Sequence, residues 1–319
     1  MPIAIVVHGG AGDIAPERRE LAVAGCKEAA RVGWRILQAG GTALDAVEAA
    51  VQLLEDNPNY NAGTGSCLTR DGNIEMDAGM MEGHTFRVGA VAGVELIKNP
   101  IILARKVLES PHVLLIGKGA QEFALEQGLS LCKFEDLLTE RQYNNWKKLH
   151  GIADDEPRYL RREMGSRTLE SADDEPGSIA GETEKKHGTV GAVAIDMSDN
   201  LAAATSTGGF LNKYPGRVGD SPLIGCGFYA DEHAAVSCTG YGEDFMRLLI
   251  ARRAAECVAG GSNAREAAQA AIAILSAKAT GTGGLITVDR IGNVGFAWNS
   301  KNMARAYLCG EMQEPEAGI

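Results

Sequence analysis

The chain has 319 residues, 45% of them hydrophobic, and can therefore bury the core of one large domain or two small ones. Its formal net charge of −11 argues against nucleic acid as a partner, because binding to phosphates requires a basic surface. No apolar run reaches the roughly 18 residues that span a bilayer, and the first eight residues lack the basic segment and cleavage site of a signal peptide. The seven cysteines form no C-x-x-C pair, which is typical of reduced thiols in a cytoplasmic protein, and the six histidines lack zinc-type spacing.

Strands and helices are separated by glycine-rich turns in the first half of the chain. Pro16 suits the first position of a helix, which Gly40-Gly41 would end. Thr42, three residues before Asp45, is typical of the cap of a second helix, whose apolar residues recur at helical spacing up to Pro58. The other predicted elements are strands at Ile3–His8, Arg87–Val94 and His112–Ile116, a turn at Gly9–Gly12 and a glycine-rich loop at Asn59–Ser66.

The composition changes over residues 139–187, where charged residues dominate and Asp-Asp-Glu-Pro occurs twice. Such a segment is poorly able to offset the entropy lost on ordering, so its composition predicts a flexible linker. The linker ends at the Gly188–Thr189 bond, where an apolar run begins. A scissile bond requires this arrangement, with exposed, flexible chain on one side and a rigid element on the other.

The second half opens with two strands, Thr189–Ile195 and Leu201–Ser206, which a turn at Asp199-Asn200 joins into a hairpin. Further predicted elements are a strand at Ala234–Cys238, helices at Glu243–Ala259 and Ala264–Ala277, and a hairpin of Gly284–Val288 with Val294–Trp298 around Gly292-Asn293. Helices come in pairs between antiparallel strands. This order favours an α+β fold, with sheets between layers of helices, over a doubly wound parallel sheet.

Thr189 would become the first residue of a new chain if the bond after Gly188 broke. A free α-amine would then lie beside its hydroxyl, and an amine that titrates near about 7.7–8.0 can take the hydroxyl proton at neutral pH. This is the N-terminal threonine form of an activated nucleophile. The segment alone is more typical of an ordinary strand start, so the nucleophile hypothesis depends on other residues of the chain.

Three further stretches hold residues suited to the chemistry of such a nucleophile. The hairpin would bring Thr207 close to the strand start, where its hydroxyl could support the nucleophile. Arg217 and Asp220 lie in a loop rich in proline and glycine, and could bind the carboxylate and the ammonium of an α-amino acid. Thr239 and Gly240 lie between a strand and a helix, a place suited to an oxyanion hole. Taken singly, these stretches are also compatible with a Ser/Thr turn, a surface ion pair and a strand-to-helix turn.

Several short motifs follow one another along the chain. They are His8-Gly-Gly-Ala-Gly12, Asn61-Ala-Gly63, His187-Gly-Thr-Val-Gly191, Thr205-Ser-Thr-Gly-Gly209, Asn212-Lys213, Pro215-Gly-Arg-Val-Gly-Asp-Ser-Pro222 and Cys238-Thr-Gly240. Each motif is weak, but the ordered set is specific. It resembles the isoaspartyl peptidase/L-asparaginase family, the plant-type asparaginases among the N-terminal nucleophile hydrolases. The resemblance extends to Met303-Ala-Arg-Ala-Tyr307 and so covers nearly the whole chain.

The resemblance implies an αββα sandwich, a single domain in which residues 1–188 form an α subunit and residues 189–319 form a β subunit. The precursor would cleave itself between Gly188 and Thr189, and the product would be a dimer of αβ heterodimers. The resemblance also implies small-molecule substrates, namely β-aspartyl dipeptides and L-asparagine, from which L-aspartate is released. It implies no cofactor for the chemistry, and neither nucleic acid nor a membrane is an expected partner.

The same resemblance assigns a role to individual positions. The implied set is Thr189 as nucleophile, Thr207 as its supporting hydroxyl, Thr239 and Gly240 as oxyanion donors, Arg217, Asp220, Gly242 and Asn61 as substrate-binding residues, and Leu54, Glu55, Asn57, Tyr60, Ala62 and Thr64 as backbone-carbonyl ligands of a structural sodium ion. Tyr241 falls at a position that varies in the family, which leaves the edge of the pocket open.

Three alternatives stay open at this point. A glycosylasparaginase shares the fold and the nucleophile, but it has aspartate where this chain has Gly188 and belongs to an oxidising or lysosomal compartment. A threonine-type endopeptidase is a second alternative. The third is a non-catalytic binding protein that keeps the fold, which failure of self-cleavage would favour.

Overall fold

The computed structural model describes residues 2–152 and 188–319. The strands are β1 Ala4–Gly12, β2 Met76–Glu82, β3 Val88–Val94, β4 Leu114–Ile116, β5 Val190–Ile195, β6 Leu201–Thr207, β7 Phe228–Ala230, β8 Ala234–Gly240, β9 Gly283–Asp289, β10 Val294–Trp298, β11 Asn302–Cys309 and β12 Glu316–Gly318. Within these residues they form an eight-stranded sheet, in the order β12-β11-β1-β5-β6-β2-β3-β4, and a four-stranded sheet, in the order β10-β9-β8-β7. The two sheets pack face to face.

Helices cover the outer faces of both sheets. They are α1 Pro16–Gln38, α2 Ala43–Asp56, α3 Pro100–Leu108, α4 Gly117–Glu126, α5 Phe134–Leu137, α6 Glu140–His150, α7 Gly242–Leu248, α8 Ile250–Ala259 and α9 Ala264–Lys278. The first three pack on the larger sheet, and α8 and α9 pack on the smaller. The αββα sandwich of an α+β protein is therefore confirmed. In the part of the chain described here, no helix combines the length and apolar character needed to cross a membrane.

The β5–β6 hairpin forms as predicted and lies in the middle of the larger sheet. Its pairing register sets Val190 opposite Ser206, so that Thr189 and Thr207 come together at the end of the pair. Successive side chains of a strand point to opposite faces. In β5, Val193 packs into the core between the sheets, whereas Ala192 packs against the helices on the outer face. By the same alternation Thr189 faces the space between the sheets.

Two predicted boundaries are wrong. The stretch Gly9–Gly12 is not a turn, because β1 continues through it with a bulge between His8 and Ala11. The partner strand β11 supplies the pairing that the local glycine pattern does not reveal. The helix predicted over Glu243–Ala259 is divided into α7 and α8 by Leu249, whose φ of 51° lies in the left-handed region.

The prediction of a flexible linker over residues 139–187 is wrong for the first part of that segment, which the structure describes. Residues 140–150 form helix α6, which Thr139 caps by accepting a hydrogen bond from the backbone N–H of Gln142. The indole of Trp146 is buried and donates to the carbonyl oxygen of Thr69 at 2.8 Å. Long-range packing thus orders a stretch that is polar in composition. Residues 153–187 of the predicted linker lie outside the described residues.

The packing of α6 gives a first prediction. Trp146→Ala should lower the free energy of unfolding by about 3–5 kcal/mol, because it leaves a cavity and removes the donor for a buried carbonyl. Leu149→Ala changes an exposed residue of the same helix and should alter that free energy by less than about 0.5 kcal/mol. Urea unfolding followed by circular dichroism measures both variants. Equal effects would contradict the packing described for α6.

Candidate active site

The hydroxyl of Thr189 donates to the hydroxyl oxygen of Thr207 at 3.1 Å. Thr189 directly precedes β5 and Thr207 ends β6, so the hairpin brings the two side chains together as predicted. Both residues are buried, with 6% and 3% of their surface exposed. The Thr207 oxygen also accepts from the backbone N–H of Gly209 at 3.0 Å. These two contacts fix Thr207, and Thr207 in turn fixes the direction of the Thr189 hydroxyl.

A buried hydrogen-bond chain that the sequence analysis missed lies beside the nucleophile candidate. His8 Nδ1 contacts the carbonyl oxygen of Thr189 at 3.1 Å, and a carbonyl only accepts, so Nδ1 carries the hydrogen. His8 Nε2 therefore accepts from the hydroxyl of Ser237 at 3.0 Å, and Ser237 contacts Thr205 at 2.7 Å. Burial lowers the pKa of His8 to about 3, which keeps the imidazole neutral. These hydrogen bonds fix the backbone at Thr189. In the sequence, the motif that begins at His8 was the feature that could have indicated this role.

Thr189 and Thr207 both line a cavity between the strand ends and the following loops. The cavity is lined by Thr189, Thr207, Gly209, Phe210, Arg217, Gly219, Asp220, Ser221 and Gly240. Five residues predicted from the sequence are therefore brought to one place. Both ionic groups predicted to bind an α-amino acid face the same space as the predicted nucleophile.

Arg217 is held by a carboxylate that the sequence analysis did not single out. Its Nε and Nη2 donate to the two oxygens of Glu243 at 3.0 and 2.8 Å. Its guanidinium also lies over the ring of Phe210, 4.3 Å from the centroid. A Cβ at Gly242 would lie 2.8 Å from a carboxylate oxygen of Asp220 and 3.0 Å from Nη2 of Arg217. Gly242 thus lies against both of the groups predicted to bind substrate, and a side chain at this position would meet them.

Asp220 is fully enclosed, and one of its carboxylate oxygens, Oδ2, has no hydrogen-bond partner among the described residues. Burial raises the pKa of this carboxyl to about 7, although the nearby Arg217 acts in the opposite direction. A carboxylate in this state is suited to bind a cationic group, which would supply both the missing hydrogen bond and the missing charge.

The loop that carries Arg217 and Asp220 rests on a buried charged cluster that the sequence analysis also missed. Lys213 is fully buried and donates from Nζ to the backbone carbonyl of Glu75 at 2.6 Å. The carboxylate of Glu75 accepts from the backbone N–H of Gly216 at 2.8 Å. Burial lowers the pKa of Lys213 and raises that of Asp77, while their opposite charges offset part of both shifts. The Asn212-Lys213 motif was the only sequence signal of this support.

The predicted oxyanion donors take two different positions. Gly240 lines the cavity. Thr239 is fully buried beside it, and its hydroxyl oxygen accepts from the backbone N–H of Ala11 at 3.2 Å. Since a hydroxyl oxygen accepts while its own hydrogen stays available, this contact is compatible with donation by Thr239 to another oxygen.

Asn61 does not line the cavity but lies against the bond predicted to break. A Cβ at Gly188 would come within 2.7 Å of the Asn61 Cβ, so this position has room for glycine only. The Asn61 side chain accepts from the backbone N–H of Cys67 at 2.7 Å and donates to the carbonyl oxygen of Gly209. Asn61 therefore ties the loop after α2 to the loop after β6, beside Gly188.

Four of the six carbonyl oxygens predicted to bind sodium already accept a hydrogen bond. Leu54 accepts from Asn57, Glu55 from Thr64, Asn57 from Tyr60, and Tyr60 from the guanidinium of Arg141. A carbonyl oxygen has two lone pairs, so the donor chemistry still fits a structural sodium ion. The Arg141 guanidinium, 3.2 Å from the Tyr60 oxygen, opposes a second cation at that position.

Comparisons with known proteins assign the chain to a family. A family model described as asparaginase matches residues 1–316. A plant-type L-asparaginase of Pyrococcus horikoshii is 48% identical over 322 residues, which cover 99% of this chain and 100% of that protein. An isoaspartyl peptidase/L-asparaginase of Rattus norvegicus is 45% identical over 304 residues, which cover 94% of this chain and 84% of that protein. The chain therefore belongs to the asparaginase family, whose members are N-terminal nucleophile hydrolases.

Proposed function

We propose that this chain is a self-processing threonine hydrolase that releases L-aspartate from β-aspartyl dipeptides and L-asparagine. The observation that carries the proposal is the 3.1 Å contact between the Thr189 and Thr207 hydroxyls, at a cavity that Arg217 and Asp220 also line. The names of the Pyrococcus and rat relatives support both substrate classes.

Self-processing would begin with the hydroxyl of Thr189. Its oxygen attacks the carbonyl carbon of Gly188, the C–N bond breaks as the hydroxyl proton passes to the nitrogen, and an ester joins Gly188 to the side chain of Thr189, whose α-amine is then free. Water hydrolyses the ester, which leaves a carboxylate on Gly188 and restores the hydroxyl of Thr189. The hydrogen bond to Thr207 and the fixed carbonyl of Thr189 support this geometry. The new amine then acts as the base that takes the hydroxyl proton.

The substrate would be held by the two charges on its α-carbon. Arg217 binds the α-carboxylate and Asp220 binds the α-ammonium, so that the side-chain carbonyl faces Thr189. The hydroxyl of Thr239 and the backbone of Gly240 stabilise the oxyanion that forms when Thr189 attacks. The amine or ammonia leaves, and water hydrolyses the aspartyl ester to release L-aspartate.

Three further features complete the proposal. The last turn of α2 and the loop after it would hold a structural sodium ion on the backbone carbonyls of Leu54, Glu55, Asn57, Tyr60, Ala62 and Thr64. The ion would stiffen this loop, and hence Asn61, without taking part in the reaction.

The processed protein would be a dimer of αβ heterodimers. Its seven cysteines are free thiols, which supports a reducing, cytoplasmic location.

The mass of the purified protein tests self-processing. We expect two fragments of 188 and 319 − 188 = 131 residues, because cleavage falls between Gly188 and Thr189. Thr189→Ala removes the attacking oxygen and should remain one chain, whereas Thr189→Ser keeps a hydroxyl and should still be cleaved. Cleavage of Thr189→Ala in protease-free material would exclude Thr189 as the nucleophile.

The proposed binding of both the carboxylate and the ammonium on the α-carbon predicts which aspartyl bond is cleaved. We expect hydrolysis of β-Asp-Leu and L-asparagine and essentially none of α-Asp-Leu, in which the peptide bond consumes the carboxylate that Arg217 would bind. Losing such a charged contact costs about 2–5 kcal/mol, which corresponds to a loss of about 30-fold or more in kcat/KM. Initial rates on the two dipeptides measure the ratio. Similar rates would show that the cavity does not select on the α-carboxylate.

The ionisation of Asp220 predicts how binding of the product depends on pH. The pKa of Asp220 is raised to about 7 by burial, so the carboxylate that binds the ammonium is progressively lost below that pH. The dissociation constant of L-aspartate should therefore be constant above about pH 8 and rise about tenfold per unit well below 7. Calorimetric titration between pH 5 and 9 measures it. A constant affinity over this range would contradict ammonium binding by Asp220.

A further inference from the structure

Among the described residues, Glu243 leaves the guanidinium of Arg217 one edge that can bind a further carboxylate with two hydrogen bonds. Its Nε–Nη2 edge is occupied by the two oxygens of Glu243, at 3.0 and 2.8 Å. One face of the group lies on the ring of Phe210. The remaining pair of donors consists of Nη1 and the second hydrogen of Nη2. A substrate carboxylate bound by two parallel hydrogen bonds must use this end-on edge.

Glu243 reaches Arg217 because of its place in the first turn of α7. It follows Gly242, whose missing side chain lets the helix start approach both Arg217 and Asp220. The ion pair is mostly enclosed, with 15% of the Arg217 side chain and 27% of the Glu243 side chain exposed. Partial burial weakens screening by water and favours a fixed bidentate geometry over a mobile surface pair.

We propose that Glu243 is a positioning residue that orients Arg217 so that its Nη1–Nη2 edge faces the α-carboxylate of the substrate. Arginine has several rotatable bonds, and an unheld guanidinium would lose side-chain entropy on each binding event. Glu243 and Phe210 remove that freedom before substrate arrives. The proposal rests on the proposed function, because it assumes that Arg217 binds the α-carboxylate.

Steady-state kinetics on β-Asp-Leu test the proposal. Glu243→Ala removes both acceptors and should raise KM about tenfold while leaving kcat within about twofold, because only the binding of substrate is weakened. Glu243→Gln has nearly the same shape, keeps one acceptor oxygen and should give an intermediate KM. Both variants should be fully self-processed. Glu256→Ala, which breaks the exposed 2.9 Å pair with Arg252 on α8, is the matched control and should keep the wild-type KM.

A double-mutant cycle separates action through Arg217 from a general structural effect. Arg217→Ala should raise KM more than Glu243→Ala does, and adding Glu243→Ala to Arg217→Ala should raise it no further. An unchanged or lower KM in both Glu243 variants would overturn the proposal, as would an equal effect of Glu243→Ala with and without Arg217. If Arg217→Ala itself keeps the wild-type KM, the assumed role of Arg217 fails instead.

Discussion

The pairing of β5 with β6 is the interaction on which the candidate site depends. The register that sets Val190 opposite Ser206 leaves Thr189 beside Thr207, and both hydroxyls then point into the space between the sheets. A slip of one residue would exchange the faces of the strand. Ser206 shows the consequence, because its hydroxyl points the other way and contacts Glu55 on α2. The backbone hydrogen bonds that build the sheet therefore also determine the geometry of the predicted nucleophile.

Polar groups between two sheets are costly unless each one is paired. The set of Thr205, Ser237 and His8 meets this condition, because each donor on the path to the Thr189 carbonyl has an acceptor within 3.1 Å. Ser237 and Thr205 also lie within hydrogen-bond distance of the carbonyl oxygens of Ala204 and Gly227, at 3.2 and 3.3 Å. The hydrogen bond from His8 Nδ1 to the Thr189 carbonyl is the same whichever acceptor these hydroxyls use, so it supports the backbone at Thr189 in each case.

Local patterns predicted the elements whose causes are local. The hairpin around Asp199 was predicted because its turn and its strands are adjacent in sequence. Strand β2 was missed because Asp77 makes it look polar. Its burial is offset by groups that lie outside the strand, chiefly the charge of Lys213, more than 130 residues later, and the backbone N–H of Gly93. The helix α6 was missed because its stability also depends on a distant residue, since Trp146 donates a hydrogen bond to the carbonyl oxygen of Thr69.

The residues that line the cavity were partly predictable from motifs, whereas the residues that hold them in place were not. Motifs named Arg217 and Asp220, and the structure brings both to one cavity with Thr189. No pattern indicated that Glu243 would occupy one edge of Arg217, because that contact depends on where the short helix α7 begins and on the absence of a side chain at Gly242. Contacts between residues that lie far apart in sequence depend on the whole fold, whereas a motif reports only its own neighbourhood.

Asp220 would link the stability of the fold to the binding of substrate proposed above. Its pKa is raised to about 7 in the folded chain, well above the ordinary value for aspartate, so the folded state holds the proton more tightly than the unfolded chain does. Ionising Asp220 therefore lowers folding stability as the pH rises from about 4 to about 7, and the full cost is present above that range. A bound ammonium group would offset that cost, because it pairs with the carboxylate that burial leaves without enough partners. Part of the proposed affinity for an α-amino acid would thus come from offsetting the cost of ionising a buried carboxyl.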